Sequence, residues 1–369
     1  LIHGLVLDRD GKKMSKSRPE TNIDPLDVIA KYGADTLRFT LATGTALGQD
    51  QRLQSEKIDG IRNFSNKIWN AARFVLMNLD DYNLEQEASV KTDSLTLADR
   101  YILSRLQRVT KEATSMLERY ELGGVANLLY DFIWSEYCDW YIEMTKPMLK
   151  SEGEQRQTAQ VVLVKVLRQI MELLHPYMPF ITEEIWQTLP HRGETVMLTP
   201  WPTVDDQLID PQAEAEMGLI MNLTRAIRNI RAEAGVDPGR KVEAIFLAAA
   251  DQQRILEENR LYLETLSGLS KMEIRAASAE KPEKAMTAVV AGVEVYLPLA
   301  GMVDMELERK RLEKELANLE EERKRLTAKL ANQQFVAKAP PAVVEKERKK
   351  LADLEVDYEK VQRRLAELS

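Results

Sequence analysis

The sequence predicts a mainly α protein in four parts: a mixed segment over 1–55, a helical bundle over 56–205, a small α/β module over 206–300 and a C-terminal antiparallel coiled-coil hairpin over 301–369. Three observations predict this. Apolar residues recur at three- and four-residue steps through the second part. Short β-type runs are concentrated in the third, and a heptad seam interrupted by two prolines fills the fourth.

The first part opens on a short apolar run, Leu1-Ile2-His3-Gly4, with no initiator Met; it reads as a strand already in progress, and the chain is expected to be a fragment. A turn at Asp8-Arg9-Asp10-Gly11 and a basic loop follow. Asp24 then makes a good N-cap, with Pro25 at the first helical position, Asp27 in the first turn and Gly33 as the stop. In the second part Ile61, Phe64, Ile68, Ala71, Ala72 and Val75 mark one helix. Leu103, Leu106, Val109, Ala113 and Leu117 mark another, and Leu128, Phe132, Ser135 and Tyr141 a third with looser spacing. His175-Pro176-Tyr177-Met178-Pro179 breaks a helix before another begins near Thr182, and Pro200-Trp201-Pro202 closes the bundle.

In the third part a helix covers 213–234 and stops at Gly235. Three strands are expected, Val242–Leu247, Met272–Arg275 and Val289–Leu297, with a helix between the first two. In the fourth, Met305, Leu312, Leu316, Leu319, Leu326 and Leu330 keep a heptad if Arg309 and Arg323 fill the gaps. Val344, Leu351, Leu354, Tyr358, Val361, Leu365 and Leu368 resume it after Pro340-Pro341, which implies a two-helix hairpin. Arms of about 29 residues are on the order of 45 Å long. Composition alone also admits, as the minor alternative, a generic oligomerising coiled coil.

Length and charge narrow the class. The 369 residues allow two or three domains, and 44% hydrophobic with 30% charged residues suits a helix-rich protein with long solvated faces. No apolar run approaches the ~18 residues of a membrane span. One cysteine, Cys138, forbids internal disulfides and is expected to be a buried small hydrophobe. With three scattered histidines, no zinc site is expected; a reducing cytoplasm is compatible with both. A net charge of −8 argues against a generic DNA coat but leaves room for a local basic patch on RNA.

The densest such patch is Gly11-Lys12-Lys13-Met14-Ser15-Lys16-Ser17-Arg18, with four cations and two hydroxyls. Charge alone fits either a solvated basic loop or a polyphosphate ligand gripping with side chains, since the P-loop layout is absent. Lys13-Met14-Ser15-Lys16-Ser17 matches the second signature of class I aminoacyl-tRNA synthetases. Its context matches too: His3-Gly4 and Asp10-Gly11 before it, then Ile23-Asp24-Pro25, Tyr32-Gly33-Ala34-Asp35 and Leu37-Arg38 after it. The chain therefore resembles that family. The resemblance implies that Lys13, Met14, Ser15, Lys16 and Ser17 close over ATP, with its Mg2+, during amino-acid activation. Lys16, assisted by Lys13, would stabilise charge on the pyrophosphate, because positioned cations lower the barrier where phosphate charge develops. Arg18-Pro19-Glu20-Thr21-Asn22 departs from the family's Ser-x-Gly-Asn by one extra residue, and proline there predicts a stiffer loop.

Phe39-Thr40-Leu41-Ala42 with Gly48-Gln49-Asp50, the runs Arg62–Phe74 and Trp134–Glu143, and Asn332-x-x-Phe335-Val336-Ala337-Lys338-Ala339-Pro340 resemble the valine branch. The fold class becomes, in the family's terms, a KMSKS-bearing stem-contact segment, an anticodon-binding bundle, a linking module and a coiled-coil arm. The partner implied is tRNA(Val), with valine and ATP in the full-length enzyme, no membrane and a monomeric state. Lys67, Asn70, Arg73 and Phe74 are the anticodon candidates. Lys67 and Phe74, seven residues apart, share a helix face, although Phe74 equally suits the core and Lys67 a solvated surface. Trp69, Trp134 and Trp140 are expected in the core. Lys329, Lys338, Arg348, Lys349 and Lys350 are candidates for phosphate contacts from the arm. The chain has no His-x-Gly-His motif, Rossmann body or editing domain, so alone it is expected not to activate valine. The rival is a stand-alone RNA-binding or coiled-coil scaffold.

Overall fold

Asp24 starts the first helix as its side chain predicts. Its carboxylate accepts the Leu26 N–H at 2.8 Å, and α1 (Pro25–Tyr32) ends at Gly33, whose φ of 87° suits a residue without Cβ. The computed structural model describes residues 4–8, 10–14, 24–43, 48–299, 305–331 and 341–367, with side chains masked at 305–312, 341–343, 363–364 and 366–367. Two compact units divide the chain, Leu1–Met221 and Asn222–Ser369.

In the first unit, β1 (Val6–Leu7) pairs in parallel with β2 (Gln51–Arg52), and α1 and α2 (Ala34–Ala42) lie between them in sequence. A small core of Val28, Leu37, Leu53 and Ile58 holds this segment together. The bundle follows: α3 (Ser55–Leu76), α4 (Leu97–Glu118), α5 (Leu122–Asp131), α6 (Ile142–Leu149), α7 (Glu154–Leu174) and α8 (Pro179–Thr188). Phe64, Ile68 and Val75 of α3, Leu106 and Val109 of α4, and Val164, Leu167 and Ile170 of α7 are all at most 1% exposed.

Two expectations are corrected here. Leu128 is only half-buried and Ser135 is exposed, whereas Leu129, Ile133, Tyr137 and Tyr141 are buried. The reason is that Phe132–Tyr141 is a π-helix, whose wider turn favours four-residue steps over the mixed three and four of an α-helix. Tyr141 donates from its hydroxyl to Asp99 at 2.6 Å, while Asp99 and Thr96 cap the start of α4 reciprocally. Helix α8 begins at Pro179 rather than near Thr182, because a proline fits the first helical position. Cys138 is buried as expected, and burial pushes its thiol up to about 12.

Burial also raises Glu172 of α7, to about 6 from 4.5, with Arg168 pulling the other way. The native state therefore binds this proton more tightly than the unfolded chain. Stability is lost as pH rises through that window, and the full cost stands above it. Glu172→Gln is expected to stabilise by about 1 kcal/mol at pH ~7.5, allowing for solvent screening, and by almost nothing at pH ~4.5. Urea midpoints at the two pH values check this; a gain of equal size at both would contradict it.

Helix α9 (Pro211–Glu233) runs through the division between the units. In the first unit its start is tied to α4 by Arg100–Asp210 at 2.9 Å and Arg108–Glu214 at 2.6 Å. In the second, β3 (Val242–Ala248), α10 (Ala250–Glu258), α11 (Arg260–Ser267), β4 (Leu269–Ala276), β5 (Ala285–Val290) and β6 (Val293–Pro298) form a four-stranded sheet of order β4-β3-β6-β5 with two helices. The single strand expected over Val289–Leu297 is instead split by a turn into the end of β5 and most of β6. Ala291 and Gly292, at φ 48° and 83°, reverse the chain there. Arg231 staples the end of α9 to the sheet, donating to the Ser267 and Arg240 carbonyls, the latter at 2.7 Å.

Helices α12 (Met305–Ala331) and α13 (Pro341–Glu367) make the predicted hairpin. Lys329–Glu347 and Lys350–Glu322, both 2.8 Å, pair the helices antiparallel. Leu326, Val344 and Leu354 are at most 7% exposed. Arg323 occupies its heptad position with its guanidinium 4.5 Å over the Tyr358 ring. At 27 residues each, the arms span about 40 Å.

Candidate nucleic-acid interface

Three places carry the predicted site residues. The first is the basic loop. Backbone pairing sets its base: Gln51 N–H donates to the Leu5 carbonyl at 2.8 Å and Leu53 N–H to that of Leu7 at 3.0 Å. Asp8, 2% exposed, folds the following turn by accepting the Asp10 and Lys12 N–H groups at 3.0 and 2.7 Å. Lys13 then bridges back to Leu7, and Met14 packs against the Val28–Leu37–Leu53–Ile58 core. Apolar contact thus holds Met14 in place. Ser15, Lys16, Ser17 and the Arg18–Asn22 stretch, including its expected stiffness, lie outside the described residues.

The second is the outward arc of α3. A row of rings runs from the core toward it: Phe39–Phe64 at 5.2 Å, Phe64–Tyr130 at 4.6 Å and Tyr130–Trp134 at 5.6 Å, the last stacked at 15°. Lys67 caps the row, 4.0 Å from the Trp134 ring, and pairs with Asp139. Both of its partners sit on the π-helical stretch. Phe74 is half-buried beneath Lys146, 5.8 Å away, while Asn70 and Arg73 are exposed.

Trp69 departs from expectation: it is 42% exposed, whereas Trp140 is 6%. The signal was available, because Trp69 follows Ile68 and so sits about 100° around the helix from a core position. Trp69, Arg73, Asn70, Phe74 and Lys67 therefore occupy one continuous outward arc of α3.

The third place is the arm. Lys329 and Lys350 are engaged in ion pairs across the hairpin. Arg348 lies 4.0 Å from Glu345 with both side chains well exposed, and Lys349 is exposed. Lys338 lies outside the described residues. Among those that are described, no group of three or more His, Cys, Asp or Glu is placed to hold a metal ion. No helix there is long and apolar enough to cross a membrane.

Between the first two places is a joint that the sequence did not single out for any role. Asp35 of α2 accepts the Ile181 and Phe180 N–H groups at 2.7 and 3.3 Å, at the start of α8. One turn further on, Arg38 donates to the Pro176 and Tyr177 carbonyls at 2.9 and 3.2 Å, just past the end of α7. The carboxylate meets the positive end of one helix and the guanidinium the carbonyls beyond the negative end of the other.

Comparison with known proteins finds matches to three stretches of the chain. Residues 1–54 match the family described as tRNA synthetases class I (I, L, M and V), residues 99–246 the anticodon-binding domain of tRNA ligase, and residues 304–369 the valyl tRNA synthetase tRNA binding arm. The chain is 48% identical over its whole length to a valine–tRNA ligase of Carboxydothermus hydrogenoformans and 48% to one of Bacillus cereus. It is 47% identical to that of Geobacillus kaustophilus. It spans 42% of the length of each of these relatives. With 48% identity to valine–tRNA ligases over its whole length and family matches over 1–54, 99–246 and 304–369, the chain is a portion of the valyl-tRNA synthetase kind within the class I synthetases.

Proposed function

We propose that this chain serves a valine–tRNA ligase by docking tRNA(Val) and supplying half of the ATP clamp. The whole-length likeness to valine–tRNA ligases carries this reading. The intact enzyme would couple ATP, with its Mg2+, to activation of valine and then esterify the tRNA, acting in the cytoplasm as a monomer. Residues 1–55 would present Lys13 and Lys16 to the phosphates, with Met14 as the loop's anchor. Residues 56–205 would hold the anticodon, 206–300 would link, and 301–369 would reach the tRNA elbow. The chain alone is expected to bind tRNA without activating valine.

On the bundle, the outward arc of α3 is the proposed anticodon surface. Trp69 joins Lys67, Asn70, Arg73 and Phe74 there, because an exposed indole beside cations is a stacking platform for an unpaired base. Filter binding of this chain to tRNA(Val) against tRNA(Ile) tests the reading. Affinity for tRNA(Val) is expected to be at least about ten-fold tighter, and Trp69→Ala is expected to weaken it by roughly 1–2 kcal/mol. Equal affinity for both tRNAs would sink the valine assignment; an indifferent Trp69→Ala would remove Trp69 from the surface.

A further inference from the structure

We propose that Asp35 and Arg38 are positioning residues that couple the tRNA-holding bundle to the phosphate loop; this rests on the tRNA-ligase reading above. Helix α2 faces two ways. Through Leu37 it shares the small core on which Met14 anchors the loop. Through Asp35 and Arg38, three residues apart and so on one face, it grips both sides of the corner between α7 and α8.

The grip is built for rigidity rather than for solubility. Asp35 is 8% exposed, and a carboxylate so placed needs donors; it finds them in the leading N–H groups of α8. Arg38 uses its planar fork on two successive carbonyls, a geometry lysine cannot reproduce. Next to it Phe39, fully buried, packs edge-on to Tyr177 at 6.1 Å and begins the ring row that ends at Lys67. Tyr177 in turn donates to the Leu122 carbonyl at 3.0 Å, fastening the corner to α5. One short helix thus holds the loop's anchor on one side and the RNA-facing bundle on the other. If RNA seated on the bundle is to present its acceptor end to the loop, this joint sets the distance between them.

Contiguity alone does not establish coupling, so the test is kinetic. In the full-length enzyme carrying this chain, Asp35→Ala and Arg38→Ala are expected to slow single-turnover transfer of valine to tRNA roughly ten-fold. The Kd for tRNA and the valine-dependent ATP–pyrophosphate exchange measured without tRNA should stay within about two-fold. Arg38→Lys and Asp35→Asn, which keep one hydrogen bond each, should recover part of the transfer rate, and they serve as the test if the alanine variants do not fold. Unchanged transfer overturns the proposal. So does a parallel fall of transfer, exchange and tRNA affinity that tracks a lowered Tm, which a merely structural brace would produce. A parent enzyme that does not charge tRNA with valine would remove the underlying reading, whereas a charging parent with indifferent variants removes the joint alone.

Discussion

Gly4→Ala is expected to unseat the loop segment while leaving the bundle folded. A Cβ built at Gly4 would lie 1.8 Å from the Gln49 carbonyl oxygen and 2.3 Å from its carbon, both backbone atoms. No side-chain rotation relieves such a clash, so the pairing of β1 with β2 must open. The Leu5 N–H bond to Asp50 at 2.7 Å and the Gln51 N–H bond to Leu5 at 2.8 Å go with it. The local cost is about 3 kcal/mol or more, in the range of overpacking combined with broken hydrogen bonds. Hydrogen exchange would show protection lost at Gln51 and Leu53 but kept in α4 and α7. In the full-length enzyme, pyrophosphate exchange is expected to fall by more than about ten-fold, since Met14 and Lys13 lose the base that aims the loop. Retained protection at Gln51 would contradict the prediction.

Removing residues 301–369 is expected to weaken tRNA binding on the order of ten- to a hundred-fold without altering valine activation. The arm is a rod of about 40 Å, and its exposed cations, Arg348 and Lys349 among them, suit phosphate contacts. Such contacts release counterions, so the log–log slope of affinity against salt should flatten by roughly three. Lys329 and Lys350 each hold a carboxylate at 2.8 Å, against 4.0 Å for Arg348, and the tighter pairing lowers their expected contribution. A truncated protein with the parent's affinity and salt slope would refute a role for the arm in tRNA binding.

Local chemistry made much of this legible in sequence. Asp24, Pro25 and Gly33 bound α1 as their capping preferences require, and the seam of Leu326, Val344 and Leu354 is buried where the heptad puts it. These are short-range rules, and nothing distant competes with them. The third bundle helix was misread because periodicity assumes 3.6 residues per turn, which the π-helical Phe132–Tyr141 does not keep. The β5–β6 turn was missed because Ala291-Gly292 lacks the usual Asn-Gly or Asp-Gly signal. Trp69 was assigned to the core on residue type, although its angular position on α3 put it outside.

The sequence by itself determined the class of element in each part, the hairpin at the end and, through KMSKS and its surroundings, the family. Only the tertiary structure decided what joins those parts within the first unit. Met14 is packed in place because Val28, Leu37, Leu53 and Ile58 converge against it. Asp35 and Arg38 have a task because a corner some 140 positions later, at Pro176–Ile181, folds back onto α2. A carboxylate and a guanidinium one turn apart are ordinary on any helix surface. Their meaning comes from the helix ends that face them, and chain folding, not local pattern, brings those ends there.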